Sequence, residues 1–206
     1  MGYRLVLLLF AVVLGVVLGA CGKEIGDACI NGSDCSPNGD RLCDPSSVDG
    51  YCTIQGCDYS TCPDEAACIR FFTGNFENKA CDHVCDLLYD PKNQDCPAPV
   101  PPAVQCSLDE RCSLDDRCVA RSSEIRYCMR TCDSDGDCRD GYECRDIDKM
   151  IADGGEPVFA PGQVIDALGQ VIAVDVKTDD MGVKTVERKV IASHSPKFCA
   201  AAPVAP

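Results

Sequence analysis

The sequence has no tryptophan, only two histidines and no Cys-x-x-Cys pair, although nineteen of its residues are cysteine. Zinc sites and thioredoxin-like redox sites usually carry a Cys-x-x-Cys pair, so neither is expected. Gly-x-Ser-x-Gly, His-Glu-x-x-His and a phosphate-binding glycine loop are also missing, and with them the common catalytic signatures. These absences predict a protein that is not an enzyme and that holds no metal ion or cofactor.

One apolar run stands out, from Leu5 to Leu18, and the single cation Arg4 precedes it. These fourteen residues would span only about 21 Å as an α-helix, which is less than a hydrocarbon core of about 30 Å. Residues 1–20 are therefore predicted to be a cleaved secretory signal. No later segment is apolar enough to cross a membrane.

The signal ends in Leu18-Gly19-Ala20-Cys21, which resembles the lipobox of bacterial lipoproteins. The resemblance implies that Cys21 is the first residue of the mature chain and carries the lipid. Gly22 follows where an Asp would signal inner-membrane retention, so the family rule implies an outer-membrane lipoprotein that faces the periplasm or the cell surface. The alternative is a secreted protein with an incidental cysteine, which would leave an odd thiol in an oxidising compartment.

The charge of the chain is strongly negative, with 19 Lys and Arg against 33 Asp and Glu, a net charge of −14. Such a surface repels nucleic acid and anionic lipid headgroups, and we expect neither as a partner. Contact with the membrane is expected through the lipid alone.

Cysteine spacing reveals an internal repeat with offsets of 75 to 77 residues. The first set is Cys29, Cys35, Cys43, Cys52, Cys57, Cys62 and Cys68, and the second is Cys106, Cys112, Cys118, Cys128, Cys132, Cys138 and Cys144. The repeat predicts two tandem cysteine-rich modules, 29–96 and 106–199, after a short anchored tether (21–28). A proline-rich linker (97–105) separates the modules, and a tail (200–206) follows them.

Without Cys21, eighteen cysteines remain, ten before the linker and eight after it. The cysteines outside the repeat are Cys81, Cys85, Cys96 and Cys199. Both counts are even, so each module is expected to close its own disulfides, with Cys81 or Cys85 completing the first set and Cys199 the second. The pairing is otherwise open, because eight cysteines alone allow 105 connectivities. Bridges replace the core that small secreted modules lack.

The fold class expected is small, disulfide-rich, mostly β and loop. Two β-branched runs with turn residues between them predict a C-terminal β-hairpin at about 171–191. Shorter hairpins are predicted between Cys43 and Cys52 and between Cys118 and Cys128. The stretch from Asp64 to Phe72 fits a short helix or an edge strand.

Three features resemble functional sites, and each has a simpler interpretation. His83 and His194 are possible ligands or bases, but isolated surface histidines are commoner. The acidic run from Asp133 to Asp140 begins like a calcium loop yet lacks the EF-hand glycine and glutamate, which favours a solvated turn. A basic run (Arg117, Arg121, Arg126 and Arg130) is either a contact patch or a set of internal ion pairs.

Several segments, among them Gly50-Tyr51-Cys52 and Arg126-Tyr127-Cys128, resemble the cysteine-rich lipoproteins of myxobacteria and related Gram-negative bacteria. That family carries no assigned function. We therefore expect a lipid-anchored envelope protein whose two modules bind an envelope or extracellular protein or contact a surface. The alternative is a secreted or tethered inhibitor of a protease or receptor, which would present a braced loop such as Cys118–Cys128.

Overall fold

The computed structural model of the chain describes residues 22–73, 79–81, 83, 106–146, 149, 155–165, 168–182 and 184–202. The predicted signal, Cys21, Cys85, Cys96, the linker and the last residues of the tail lie outside these residues. The described part consists of short antiparallel strands joined by loops and disulfides, which confirms the predicted fold class.

The elements are short and follow one another in chain order. They are a one-turn helix α1 (Gly32–Cys35) and the strands β1 (Leu42–Asp44), β2 (Tyr51–Thr53), β3 (Ala66–Phe72), β4 (Glu110–Cys112), β5 (Cys118–Ala120), β6 (Glu124–Arg130), β7 (Tyr142–Arg145), β8 (Gly155–Pro157), β9 (Gln163–Ile165), β10 (Val171–Thr178), β11 (Lys184–Ala192) and β12 (Phe198–Ala201). Two 3₁₀ turns lie at Arg121–Ser123 and Asp135–Asp137.

The predicted C-terminal hairpin is confirmed. Strands β10 and β11 pair antiparallel from Val171↔Ala192 to Thr178↔Lys184. The turn between them contains Gly182 with φ of +79°. β9 pairs only with residues 171–173 of β10, so most of the hairpin extends beyond the three-stranded part as an arm.

The two shorter hairpin predictions have different outcomes. β1 and β2 form the first one, with Cys43 opposite Cys52. The second is wrong, because β5 pairs with β4 whereas β6 pairs with β3. The edge-strand prediction for Asp64–Phe72 is also wrong, since β3 is the centre of a three-stranded sheet in the order β6-β3-β8.

The two predicted modules share this sheet, and the expectation that each closes its own bridges is wrong. β3 of the first pairs with β6 of the second over seven residues, from Ala66↔Arg130 to Phe72↔Glu124. The bridges Cys62–Cys128 and Cys81–Cys112 also join the two halves. The repeat therefore marks related segments that are interlocked in one structure.

Two tyrosines with tilted rings contact each other where the two halves meet. The rings of Tyr51 and Tyr142 lie 5.5 Å apart, and the Arg139 guanidinium sits 4.2 Å from the Tyr142 centroid. Arg139 also donates a hydrogen bond of 2.7 Å to the carbonyl of Val48. Burial raises the pKa of Tyr51 to about 12, so this hydroxyl stays neutral at ordinary pH. Gly50 before it has φ of +68°, and a Cβ there would lie 2.0 Å from the carbonyl oxygen of Cys29.

Within the described residues, no helix has the length and apolar character that a membrane crossing requires.

Candidate functional site

The disulfides among the described residues form four copies of one arrangement, which we call a two-bridge unit. In each unit the first cysteine bonds the third and the second bonds a fourth: Cys29, Cys35, Cys43 and Cys52 in unit 1; Cys57, Cys62, Cys68 and Cys128 in unit 2; Cys106, Cys112, Cys118 and Cys81 in unit 3; Cys132, Cys138, Cys144 and Cys199 in unit 4. Sixteen of the eighteen predicted cysteines thus lie in bridges. Cys199 completes its own set as expected, whereas Cys81 bonds Cys112 of the other half.

The strand pairing explains why this arrangement recurs. In units 1, 2 and 4 the third and fourth cysteines lie directly opposite each other on paired strands: Cys43↔Cys52, Cys68↔Cys128 and Cys144↔Cys199. In unit 3 an isolated bridge at Ala80↔Arg117 brings the fourth cysteine alongside instead. Three of the four sulfur atoms in each unit lie within 4.8 Å of one another, which resembles a metal site. Because these sulfurs are already bonded in pairs, they are not thiolate ligands.

A side-chain cap closes the first loop of every unit. A side-chain oxygen one or two residues before the second cysteine accepts the backbone N–H that follows the first. The four bonds are Ile30 to Asp34 at 2.8 Å, Asp58 to Thr61 at 2.7 Å, Ser107 to Glu110 at 2.8 Å and Asp133 to Asp137 at 3.0 Å. The acidic turn at 133–140 is one of these capped loops, and its Asp135 carboxylate accepts the N–H of Cys144 at 2.8 Å.

Two of these caps lower the pKa of the aspartate that forms them. Hydrogen bonds from the Ile30 and Asn31 N–H groups lower the pKa of Asp34, and those from Ser134 and Asp133 lower the pKa of Asp137. A lowered pKa in the folded state means that the carboxylates stabilise the fold above their ordinary range. That contribution is lost as the pH falls below about 4.

We therefore expect the double variant D34N/D137N to lose less stability than the wild type between about pH 5 and pH 2. The asparagine side chain keeps an acceptor oxygen but does not titrate. Urea unfolding at several pH values measures the difference. The variant D133N/D140N makes the same charge change in the loops and is the control. Acid curves for the wild type and D34N/D137N that coincide would contradict this role of the caps.

The segment after Cys21 is packed onto the domain rather than hanging from it as a tether. Ile25 is fully buried, and the N–H of Gly26 donates to the carbonyl of Cys52 at 2.9 Å. Arg130 binds Glu24 at 3.0 Å. A Cβ on Gly22 would lie 2.9 Å from the carbonyl oxygen of Cys35. The described structure therefore begins one residue after the predicted lipid site.

The structure separates the two histidines. The His83 ring contacts two groups. Its Nδ1 lies 2.7 Å from the Asp116 carboxylate, and its Nε2 lies 3.0 Å from the carbonyl oxygen of Ile165. These contacts fasten unit 3 to β9. His194 is exposed and lines a cavity of about 510 Å³ with Tyr59 and Lys197.

The basic run forms mostly ion pairs. Arg117 pairs with Asp115 at 3.4 Å and Arg126 with Asp58 at 3.0 Å, in addition to the Arg130–Glu24 pair. Arg121 is exposed and has no side-chain partner among the described residues. The stretch Cys118–Cys128 forms no hairpin but a bend between β5 and β6, with the exposed Arg121 in its turn and a disulfide at each end.

A second cavity, of about 520 Å³, brings together arginines that are distant in the sequence. We call it the arginine pocket; it is lined by Gln55, Gly56, Cys57, Arg111, Arg121, Glu124, Ile125 and Arg126. Sequence reasoning missed Arg111, which precedes Cys112 on β4 and is 8% exposed. Its Nη1 lies 3.1 Å from Glu124. No pattern in the sequence predicts that Arg111 lies beside the basic run. The bend between β5 and β6 brings them together in the fold.

Glu124 is the one acid that lines the arginine pocket in the described part of the chain. Burial acts to raise the pKa of Glu124, but the hydrogen bond from Arg126 and the charges of Arg111 and Arg70 act more strongly in the opposite direction. The pKa of Glu124 is therefore lowered overall. Glu124 is therefore ionised at neutral pH and holds two of the arginines in place.

No protein family, curated protein or solved structure matches this chain.

Proposed function

We propose that the protein is a non-enzymatic lipoprotein of the bacterial outer membrane, anchored through Cys21, which displays a cross-braced β structure for protein binding or surface contact. The packed segment that begins at Gly22 carries this proposal. Consecutive Cα atoms are about 3.8 Å apart, so an acylated Cys21 would hold the folded domain directly at the bilayer. Two or more acyl chains, at about 0.8 kcal/mol per buried CH₂, suffice for a stable anchor.

The face beside the anchor supports this orientation. Arg41 donates to the carbonyl of Lys23, which places both cationic residues next to Gly22. Ile30, in the first loop of unit 1, is 89% exposed. Glu24 and Glu65, which pairs with Arg41 at 3.7 Å, offset these two cations. The exposed apolar side chain of Ile30 is the feature that suits the interfacial region of a bilayer.

The arm formed by β10 and β11 supports a contact role. Beyond residue 173 the arm pairs with no further strand among the described residues. Met181 at its tip is 84% exposed. Val190 and Ile191, 52% and 45% exposed, lie at the base of its edge strand, where Val190 pairs with Ile172. A ribbon that projects from a rigid base is a suitable surface for another protein.

Intact mass spectrometry and membrane fractionation test the anchor. We expect a mature chain that starts at Cys21 with added acyl mass, and the C21S variant is expected to leave the membrane fraction. G22D is expected to keep the acyl mass but to move to the inner membrane. G22S is the matched control for a side chain at this tight position and is expected to stay in the outer membrane. A mature chain without acyl mass would overturn the proposal.

A further inference from the structure

The arginine pocket carries an excess of positive charge on a protein that is otherwise acidic. Arg111, Arg121 and Arg126 line it with Glu124, and Asp58 beside it pairs with Arg126 at 3.0 Å. One positive charge remains in excess, although the whole chain has a net charge of −14. The charge of the pocket thus has the opposite sign to the net charge of the chain.

Both carboxylate oxygens of Glu124 already accept hydrogen bonds from the arginines of the pocket. Arg126 Nε donates to one oxygen of Glu124 and Arg111 Nη1 donates to the other. Arg111 Nε is buried and has no hydrogen-bond partner among the described atoms. Arg121 at the rim has no side-chain partner in the described part of the chain either. Donors therefore remain after the protein's own acceptor is used.

Arg111 Nε is buried without an acceptor, and a bound anion can supply one. The flat guanidinium group matches the two oxygens of a carboxylate, which it binds with two parallel hydrogen bonds. Arg126 is matched by Glu124 and Asp58. Arg111 Nε and the Arg121 guanidinium are the donors left over, and a ligand with two carboxylates can place one of them against each arginine.

We propose that the arginine pocket binds a small dicarboxylate. Arg111 and Arg121 bind the ligand, and Arg126, fixed by Glu124 and Asp58, forms the wall of the pocket. A volume of about 520 Å³ accommodates such a molecule. This site lies apart from the anchor segment and does not depend on lipidation.

Isothermal titration of the full mature chain, purified in detergent with its bridges intact, tests the site with succinate as the probe. We expect saturable binding at low ionic strength that R121Q weakens about tenfold, as expected for the loss of a charged hydrogen bond. Arg121 is exposed, so R121Q is expected to fold. R117Q removes another exposed arginine outside the pocket and is expected to bind as the wild type does.

Inorganic phosphate and sulfate are titrated in parallel. Weaker binding of both anions than of succinate would support a carboxylate site. Equal binding of all three, no saturable binding of succinate, or equal affinity in R121Q and the wild type would overturn the proposal.

Discussion

Replacing Cys62 and Cys128 together with alanine is expected to lower the free energy of unfolding by about 4 kcal/mol. This bridge links positions 66 residues apart and crosses between the halves of the chain. Removing it frees a long loop in the unfolded state, and the entropy that this loop regains favours unfolding. Chemical unfolding under non-reducing conditions measures the loss.

The matched control is the variant C132A/C144A, which removes a bridge within unit 4 with a separation of 12 residues. Its expected cost is smaller, about 3 kcal/mol, because the closed loop is shorter. Digestion of the oxidised protein without reduction checks the pairing directly and is expected to yield a linked peptide pair containing Cys62 and Cys128. A peptide that links Cys62 to any other cysteine would contradict the structure.

The same bridge makes the oxidised protein unfold as one unit. The shared sheet and the Cys62–Cys128 bridge tie the halves together, so a single transition is expected for the wild type. Two separate transitions would instead support the two independent modules that the repeat predicts.

Local patterns in the sequence predict local structure well. The hairpin of β10 and β11 follows from two β-branched runs and a turn that includes Gly182, all within about twenty residues of chain. The β1–β2 hairpin is equally local. Their pairing depends on neighbours in the sequence, so no distant residue overrides it.

The long-range bridges cannot be predicted from the number of cysteines in each half. Even numbers in each half permit internal closure but do not require it, and the offset near 76 residues assigns equivalent roles to Cys52 and Cys128. In the structure Cys52 bonds within its own half, whereas Cys128 bonds Cys62 of the other. A shorter repeat of three closely spaced cysteines, which starts at Cys29, Cys57, Cys106 and Cys132, is the signal that indicates four units.

Buried charge is the other feature that the sequence does not predict. Arg70 within β3 favours an edge strand when the sequence is considered alone, because a central strand rarely holds an arginine. Its partner Glu156 lies 86 residues further along the chain, on β8. The pair is formed only when β8 docks beside β3, which no local pattern indicates. The arginine pocket likewise requires β4 and β6 to meet.

Glu156→Gln is expected to lower the free energy of unfolding by about 3 kcal/mol. Arg70 is 6% exposed and Glu156 2% exposed, so the substitution leaves a buried cation without its counterion. Burial already lowers the pKa of Arg70, and Arg111 nearby acts in the same direction. Glutamine keeps the shape of the side chain and an acceptor for the Leu114 N–H, which lies 2.7 Å from the Glu156 carboxylate. The loss therefore reports the missing charge together with the missing acceptor for Arg70 Nε.

Two controls isolate that charge in the same unfolding assay. The variant R70M/E156Q removes both charges, keeps the acceptor for Leu114, and is expected to recover most of the stability, because a buried ion pair gains little over apolar packing. E187Q breaks the Lys177–Glu187 pair, whose side chains are 57% and 62% exposed. Its effect on the free energy of unfolding is expected to be too small to measure. If E156Q costs no more than E187Q, Arg70 is solvated in the native protein and the buried pair does not hold β8 on the sheet.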